Sequence, residues 1–182
     1  DKSDYENLEN VSCDCICVSG NWTPTVHLSS QSGNKLKFDN KIDAFIPNQP
    51  RQNESTIGSA NGSFTLKKSL DDGFNKGYEL SSKITGKNEK SKTPTSNERN
   101  YAQHDKFWCM PLPKNKHYKR CVDFQNDVYV SDIELAVREG FRSIEHVKRY
   151  TTLGMATDQG KTSNLNGLQL VSNVENKIVP EV

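Results

Sequence analysis

Long hydrophobic runs are missing from this chain. Only 32% of its 182 residues are hydrophobic, and its mean hydropathy is −0.82. No apolar stretch approaches the roughly 20 residues that a transmembrane helix needs, and no signal-peptide pattern is present. The composition therefore predicts a modest hydrophobic core and no membrane partner.

An excess of either charge is missing as well. Lys and Arg number 24 and Asp and Glu number 23, so the net charge is +1. Proteins that bind nucleic acid through its phosphates carry a basic surface, and neither half of this chain is markedly basic. We therefore expect no nucleic-acid partner.

The five cysteines lack the spacing of a disulfide framework or a metal site. Their number is odd, and neither CxxC nor HxxxH occurs. Cys13, Cys15 and Cys17 alternate, so that in a strand all three side chains would face the same way. We expect three small buried thiols that face a core in the reducing cytoplasm, and no bound metal.

Groupings typical of catalysis are also absent. His146 lies beside Glu145, but no Ser or Cys nucleophile stands at a recognisable spacing, so we predict no catalytic residue here. The loop 154–162 resembles a Walker A loop in composition, yet Met155 occupies the position of its first glycine. The loop opens a helix beside Lys161, so it suits an anion or a partner's carboxylate, or it is capped only for its own stability.

The apolar pattern of the N-terminal part predicts a strand and a helix. Residues 11–20 have the profile of a buried parallel strand that ends in a tight turn. A later helix has its apolar face on Leu66, Leu70 and Phe74, and Gly77 is expected to end it.

The entrance of that helix is a candidate binding segment. Gly58 and Gly62 precede the helix, and Asn61 or Ser63 is expected to cap it. A bare backbone at this point lets a phosphate or a sugar approach free N–H groups at the positive end of the helix dipole. An ordinary loop–helix junction is the alternative.

A stretch with almost nothing to bury separates two domains. Residues 81–106 consist largely of Ser, Lys, Asn and Thr, which predicts a linker. One domain therefore covers residues 1–80 and the other residues 107–182. The polar start without methionine and the uncapped last residues predict a section of a longer polypeptide.

The second domain is predicted to contain a strand and three helices. Residues 119–125 are the strand candidate, and a capping box that starts at Ser131 opens the first helix. Ser143 begins the second helix, and the third begins after the polar loop, at Thr162 or Ser163.

Two blocks of sequence resemble one family, the alpha subunit of heterotetrameric sarcosine oxidase. The pattern CDxxxVSGxWxPxVHLxSQSGxKLxFD at Cys13–Asp39, continued by GSANGSFTL, resembles the end of its dinucleotide-binding domain. The block from Val122 to Leu168, which includes VDFQNDV and REGFRSIEHVKRYTT, resembles the small middle domain of the same subunit nearly residue for residue.

The resemblance implies an α/β fold and assigns two sets of residues. The fold is the C-terminal portion of a Rossmann-like, FAD/NAD(P)-binding domain followed by a small, mainly helical domain with a short strand. Contacts with nicotinamide dinucleotide (NAD) fall on Gly58, Ser59, Ala60, Asn61, Phe64 and Thr65. Contacts with the beta subunit or its flavin fall on Thr157, Gln159, Lys161 and Thr162.

The resemblance also implies the partners and cofactors of a larger enzyme. The family's complex adds beta, gamma and delta subunits and oxidatively demethylates sarcosine to glycine. Tetrahydrofolate accepts the one-carbon unit and oxygen accepts the electrons. FAD and FMN belong to the complex, and the NAD of the alpha subunit takes no redox part. This chain lacks a GxGxxG loop, so alone it is expected to be inactive.

The middle domain is in turn similar to small [2Fe–2S]-binding domains. The cluster cysteines of those domains fall here on Asp123, Gln125, Asp158 and Ser163. A [2Fe–2S] cluster takes four thiolates, or two thiolates and two histidines. We therefore expect no cluster, and a domain that serves structure and docking.

Two other interpretations remain open. The chain fits a subunit of a related amine or opine dehydrogenase with an iron–sulfur centre, for which stoichiometric iron would be the sign. It also fits a non-catalytic interaction module on the same fold, in which case no sarcosine-dependent peroxide would form.

Overall fold

The computed structural model describes residues 11–17, 22–87, 92–97, 107–110, 112 and 118–181. The chain divides into two compact units, Gly20–Gln103 and Asp1–Ser19 with His104–Val182. Each unit contributes one two-stranded antiparallel sheet to the described residues. No helix in these ranges is long and apolar enough to cross a membrane.

The unit Gly20–Gln103 is built on a hairpin and one long helix. Its elements are α1 (His27–Gln31), β1 (Leu36–Asp39), β2 (Ala44–Pro47), a 3₁₀ turn (Gly58–Asn61) and α2 (Leu66–Thr85). Leu36 of β1 pairs with Pro47 of β2, and the hairpin buries Ala44 and Ile46. The apolar residues before Pro47 thus form a strand, and the proline is tolerated in it because both strands of a two-stranded sheet are edge strands.

Helix α2 begins later than its sequence suggests. Thr65 is the N-cap, and its hydroxyl accepts a hydrogen bond from the Lys68 N–H at 3.2 Å. The caps predicted at Asn61 and Ser63 are wrong, because Asn61 ends the 3₁₀ turn and the Ser63 hydroxyl donates to Asp72 instead.

Helix α2 also continues past its predicted end. Gly77 lies inside the helix, and Gly86, with φ +71°, ends it. A glycine inside a helix costs only about 1 kcal/mol relative to alanine. Ion pairs from Glu79 to Lys76 and Lys83 support the turns on either side, which explains why the helix does not stop.

The second unit is a small helical domain with a short hairpin. Its elements are β3 (Cys121–Asp123), β4 (Val128–Tyr129), α3 (Val130–Arg138), α4 (Ile144–Thr151), α5 (Asn164–Glu175) and a 3₁₀ turn (Val179–Glu181). Its core cluster consists of Val122, Val128, Val130, Ile133, Ala136, Val137, Val147, Leu153, Leu170 and Val171. A strand forms within the predicted segment 119–125, but it covers only Cys121–Asp123, because the chain turns at residues 124–127. All three helices contribute to the core.

The three helix starts differ in how well the sequence predicts them. Ser143 and Ser163 are the N-caps of α4 and α5, as expected. Helix α3 begins at Val130, before the predicted cap Ser131, because β4 runs straight into the helix. The Asp132 carboxylate reaches back and accepts the Tyr129 N–H at 2.8 Å.

The predicted strand at residues 11–20 is wrong over the part that the structure describes. Residues 11–17 form no strand, and Cys13, Cys15 and Cys17 are exposed rather than buried. Alternation places side chains on one face only where a paired strand holds the backbone extended. Neither described sheet supplies such a partner.

Candidate functional site

The polar loop lies against the turn of the β3–β4 hairpin. Asp123 is the last residue of β3, and the turn 124–127 returns the chain to β4, with Asp127 in the left-handed region at φ +51°. Three side chains join this turn to the polar loop. Asn126 donates to the Thr152 carbonyl at 2.8 Å, and the Thr157 hydroxyl donates to the Gln125 amide oxygen at 2.7 Å.

Asp123 is the third and most buried of these side chains. It is only 2% exposed, and both of its carboxylate oxygens accept hydrogen bonds. Oδ1 accepts the N–H groups of Gln125 at 2.9 Å and Asn126 at 3.3 Å. Oδ2 accepts the Gly154 N–H at 2.8 Å and the Ser163 hydroxyl at 3.4 Å. A buried carboxylate is tolerated only when it is paired or well hydrogen-bonded, and this one is surrounded by donors.

The path of the loop depends on two glycines and one asparagine. Gly154 and Gly160 have φ values of +66° and +72°, which favour glycine. A Cβ at either position would overlap the side chain of Asn164, the first residue of α5. Asn164 therefore fills the space beside both glycines, and its amide donates to the Gln159 carbonyl at 3.4 Å.

Asp158 closes the loop onto the start of α5. Its Oδ1 accepts the Gly160 N–H at 3.0 Å, and its Oδ2 accepts the hydroxyl and the N–H of Thr162 at 2.7 and 3.1 Å. The Thr162 hydroxyl is the main cause that lowers the pKa of Asp158, helped by these N–H groups. The carboxylate thus occupies donors that an external anion would need.

The four residues that are assigned to contacts with a partner all lie on the solvent-exposed surface of this loop. Thr157, Gln159, Lys161 and Thr162 are exposed. Thr157 and Thr162 are engaged with Gln125 and Asp158, and the Gln159 amide donates to the Ala156 carbonyl at 3.0 Å. The arrangement can present hydroxyl, amide and ammonium groups to a neighbouring surface.

A side-chain to side-chain hydrogen bond joins two of the four positions that match cluster cysteines, and a third, Gln125, donates its backbone N–H to Asp123. Asp123 contacts Ser163 directly, whereas Gln125 contacts Thr157 and Asp158 contacts Thr162. Within the described ranges, no group of three His, Cys, Asp or Glu side chains could hold a metal ion.

The second candidate segment, Gly58–Thr65, lies in the other unit. Gly58 has φ +67° and begins the 3₁₀ turn, while Gly62, with φ +80°, follows its last residue as the C-cap. A Cβ on Gly62 would lie 2.6 Å from Ile42 Cδ1, so the bare backbone here serves close packing on the hairpin. Phe64 is 38% exposed, and Thr65 is committed to capping α2.

A polar cleft of about 590 Å³ opens beside this segment. It lies between the stretch after β2 and the middle of α2, and Asn61 is the one predicted NAD contact that lines it. Three carboxylates also line it: Glu54, Asp72 and Glu79. Glu54 accepts hydrogen bonds from Ser32 and from Asn34, Asp72 accepts the Ser63 hydroxyl at 2.5 Å, and Glu79 pairs with Lys76 and Lys83.

The charges of the cleft favour a polar ligand over a bare anion. Its two lysines, Lys37 and Lys76, face three carboxylates. Carboxylates accept hydrogen bonds from sugar hydroxyls, as in the ribose contact of dinucleotide-binding folds, whereas they repel a pyrophosphate. Hydrophobic periodicity did not predict Glu54, because its hydrogen-bond partners Ser32 and Asn34 lie 22 and 20 positions earlier in the chain.

Sequence reasoning also missed the role of Asn164. The sequence contains one weak signal for this role. Two glycines stand near the two ends of the polar loop, and a nearby side chain must fill the space that they leave. The central place of Asp123 as a hydrogen-bond acceptor gave no signal, because its partners lie 31 and 40 positions further along the chain.

Comparison with known proteins matches both units. Residues 117–182 match the family described as the sarcosine oxidase A3 domain. The sarcosine oxidase subunit alpha of Rhizobium meliloti (strain 1021) is 32% identical over 165 residues, which is 90% of this chain and 16% of that protein. The same subunit of Corynebacterium sp. (strain U-96) is 32% identical over 170 residues, 91% of this chain and 18% of that protein. The chain thus spans less than a fifth of the length of these relatives.

Proposed function

Because the chain belongs to the family of sarcosine oxidase alpha subunits, we propose that it works as part of such a subunit in a sarcosine-oxidising complex. The observation that carries this proposal is the extent of the match, which covers 90% of the chain and therefore reaches into both compact units. A match confined to the A3 domain would support only a shared module.

The proposed reaction is the oxidative demethylation of sarcosine to glycine. The beta, gamma and delta subunits complete the complex, tetrahydrofolate accepts the one-carbon unit, and oxygen is reduced to hydrogen peroxide. FAD and FMN supply the redox chemistry when bound to the complex. We assign no catalytic residue to this chain, and its contribution is to bind and to position.

For the unit Gly20–Gln103 we propose a role in holding NAD, as the C-terminal portion of a Rossmann-like domain. The turn at Gly58, Ser59, Ala60 and Asn61, followed by Phe64 and Thr65, supplies the proposed contact segment. The cleft beside Asn61 supports this proposal, because its carboxylates suit the hydroxyls of a ribose. The pyrophosphate would need donors from outside this cleft.

For the second unit we propose a domain without an iron–sulfur cluster. The residues at the four matched positions do not fit one, since they offer two carboxylates, an amide and a hydroxyl in place of thiolates. In addition, both carboxylate oxygens of Asp123 already accept hydrogen bonds from backbone N–H groups. We propose that Thr157, Gln159, Lys161 and Thr162 contact the beta subunit or its flavin.

A purified complex tests the proposal. The chain, tagged and expressed in its natural polypeptide, should copurify with three further subunits. The complex should form hydrogen peroxide when sarcosine is added and should transfer the methyl carbon to tetrahydrofolate. Its NAD should be released on denaturation, and its iron content should be negligible.

Each failure points to a different alternative. Stoichiometric iron, with oxidation of another amine and no peroxide, would replace the proposal with a dehydrogenase subunit. Copurifying subunits that show no amine oxidation would leave an interaction module. A complex that is active with sarcosine but contains no NAD would overturn only the role of the first unit.

A further inference from the structure

We propose that Asp123 is a positioning residue of the second unit. Its buried carboxylate sets the shape of residues 152–163, which comprise the polar loop 154–162 and the residues that flank it. Under the proposed function this loop is the surface that meets the partner subunit, so the functional part of the inference rests on that proposal. The structural part stands on the contacts of Asp123 alone.

The donors to Asp123 come from the hairpin turn and from both ends of the loop. Two of them, the N–H groups of Gln125 and Asn126, belong to the turn that follows Asp123 itself. The Gly154 N–H lies at the beginning of the loop, and the Ser163 hydroxyl lies at its end. One side chain therefore binds both ends of the loop to the hairpin.

The contact of Asp123 with the two ends of the loop is buried. Asp123 and Ser163 are 2% and 0% exposed, and Gly154 is buried. The ion pairs found among the described residues include none to Asp123, so the hydrogen bonds are what balance its charge. Hydrogen bonds to an ionised group are roughly twice as strong as neutral ones, and more so where water is excluded.

Without Asp123, the loop would keep only weak links to the hairpin. The Gly154 N–H lies in a turn, and the hydrogen bond that it makes goes to the Asp123 side chain. The remaining links to the hairpin, Asn126 to Thr152 and Thr157 to Gln125, are single hydrogen bonds near the surface. Loss of the carboxylate would therefore loosen the loop from Gly154 onward, while Leu153 and the helices stay packed in the apolar core.

Amide hydrogen exchange on the full 182-residue chain tests the structural part, with Asp123→Asn as the variant. The substitution keeps the shape but turns one acceptor atom into a donor that faces other donors. We expect the protection of the Gly154 amide to fall about 10- to 100-fold, in line with the strength of a hydrogen bond to a charged group. Amides of α3 should keep their protection.

The matched control is Asp127→Asn. Asp127 lies in the same turn, is exposed, and has the left-handed φ of +51° that asparagine also tolerates. It removes the same charge and should leave the loop amides unchanged. A uniform loss of protection over the whole unit in Asp123→Asn would overturn the positioning role in favour of a general contribution to stability.

If Asp123→Asn fails to fold, a second variant and the unaltered chain still test whether Asp123 positions the loop. Ser163→Ala removes only the longest of the four hydrogen bonds, and it should loosen the loop by a smaller factor. In the unaltered chain the Gly154 amide should exchange as slowly as amides of the core. Exchange at the rate of an open loop would overturn the proposal.

Binding to the beta subunit separates this inference from the proposed function. If both hold, Asp123→Asn weakens association with the beta subunit at least tenfold and Asp127→Asn does not. If the unaltered chain shows no binding while the exchange results stand, the proposed function fails and Asp123 still positions the loop. If binding is unaffected by a loosened loop, the loop is not the contact surface and the functional part of the inference is overturned.

Discussion

The Asp123 carboxylate accepts the Gly154 N–H at 2.8 Å, across 31 positions of the chain. This contact joins the end of a three-residue strand to the start of a polar loop. It places Gly154 so that its bare Cα faces the Asn164 side chain at the entrance of α5. Strand, loop and helix are thereby fixed by one buried acceptor and one glycine.

Gly154→Ala should destabilise the second unit by about 2–4 kcal/mol. About 1–2 kcal/mol comes from a non-glycine residue in the left-handed region, and the remainder comes from overlap of the new methyl group with Asn164. Urea unfolding followed by circular dichroism measures the change in the free energy of unfolding.

Two further variants separate the causes of that loss. Gly140→Ala has the same left-handed backbone, with φ +99°, but open space around its Cβ, so it should cost only about 1–2 kcal/mol. Asn164→Ala in the Gly154→Ala background should recover part of the steric cost and none of the backbone cost. Equal losses for Gly140→Ala and Gly154→Ala would contradict the packing described for Asn164.

Local signals predicted much of the second unit. Ile133, Ala136 and Val137 repeat at helical spacing, and all three are buried in α3. Ser143 precedes α4 as the pattern indicates. Such features depend on neighbours three or four positions away, so a single stretch of sequence contains both partners.

Features that depend on distant partners could not be predicted in this way. The cleft beside α2 is lined by residues from Asn34 to Glu79, which only the fold brings together. The alternation of Cys13, Cys15 and Cys17 has the period of a strand, yet no strand forms there. Periodicity states which face a side chain would occupy, and it does not supply the neighbour that makes the face buried.

The exposed cysteines should react before the partly buried ones. Alkylation of the native chain with iodoacetamide should modify Cys13, Cys15 and Cys17 first. Cys121 should react slowly, because burial raises the pKa of its thiol and the carboxylates of Asp127 and Asp123 raise it further. Mass spectrometry of timed digests gives the order, and in urea all five rates should converge. Early modification of Cys121 would contradict its placement.

Helix α2 should weaken in acid over a defined range. Hydrogen bonds from Lys76 and Lys83 lower the pKa of Glu79 from 4.5 to about 2. A carboxyl with a depressed pKa in the folded state stabilises that state above its unfolded pKa, and the contribution is lost as the pH falls from about 4.5 to about 2. The Glu79 side chain is 43% exposed, so the effect is modest and screened by salt.

Titration of the Glu79 side chain by NMR checks this directly. The midpoint should lie near 2 at low salt and move toward 4.5 in 1 M NaCl (roughly 3 Å screening length). In Glu79→Gln the helical signal should lose this part of its pH dependence, while Asp71→Asn, which removes a different ion pair of the same helix, should retain it. A midpoint at 4.5 in low salt would show that the two ion pairs do not persist in solution.

The close approach of α5 to Leu153 should reverse the usual effect of replacing a helical glycine. Gly167 lies in α5 and is buried, and a Cβ there would overlap Leu153 Cδ2. Alanine favours a helix over glycine by about 1 kcal/mol, but extra volume in a packed core costs about 1–3 kcal/mol. Leu153 is itself only 1% exposed and has little room to move, so Gly167→Ala should destabilise the second unit.

The control is Gly77→Ala, in open space on α2, which should instead stabilise its helix by about 0.5–1 kcal/mol. Adding Leu153→Ala to Gly167→Ala should cost less than the sum of the two single changes, and strict additivity in urea unfolding would show that the two residues do not meet.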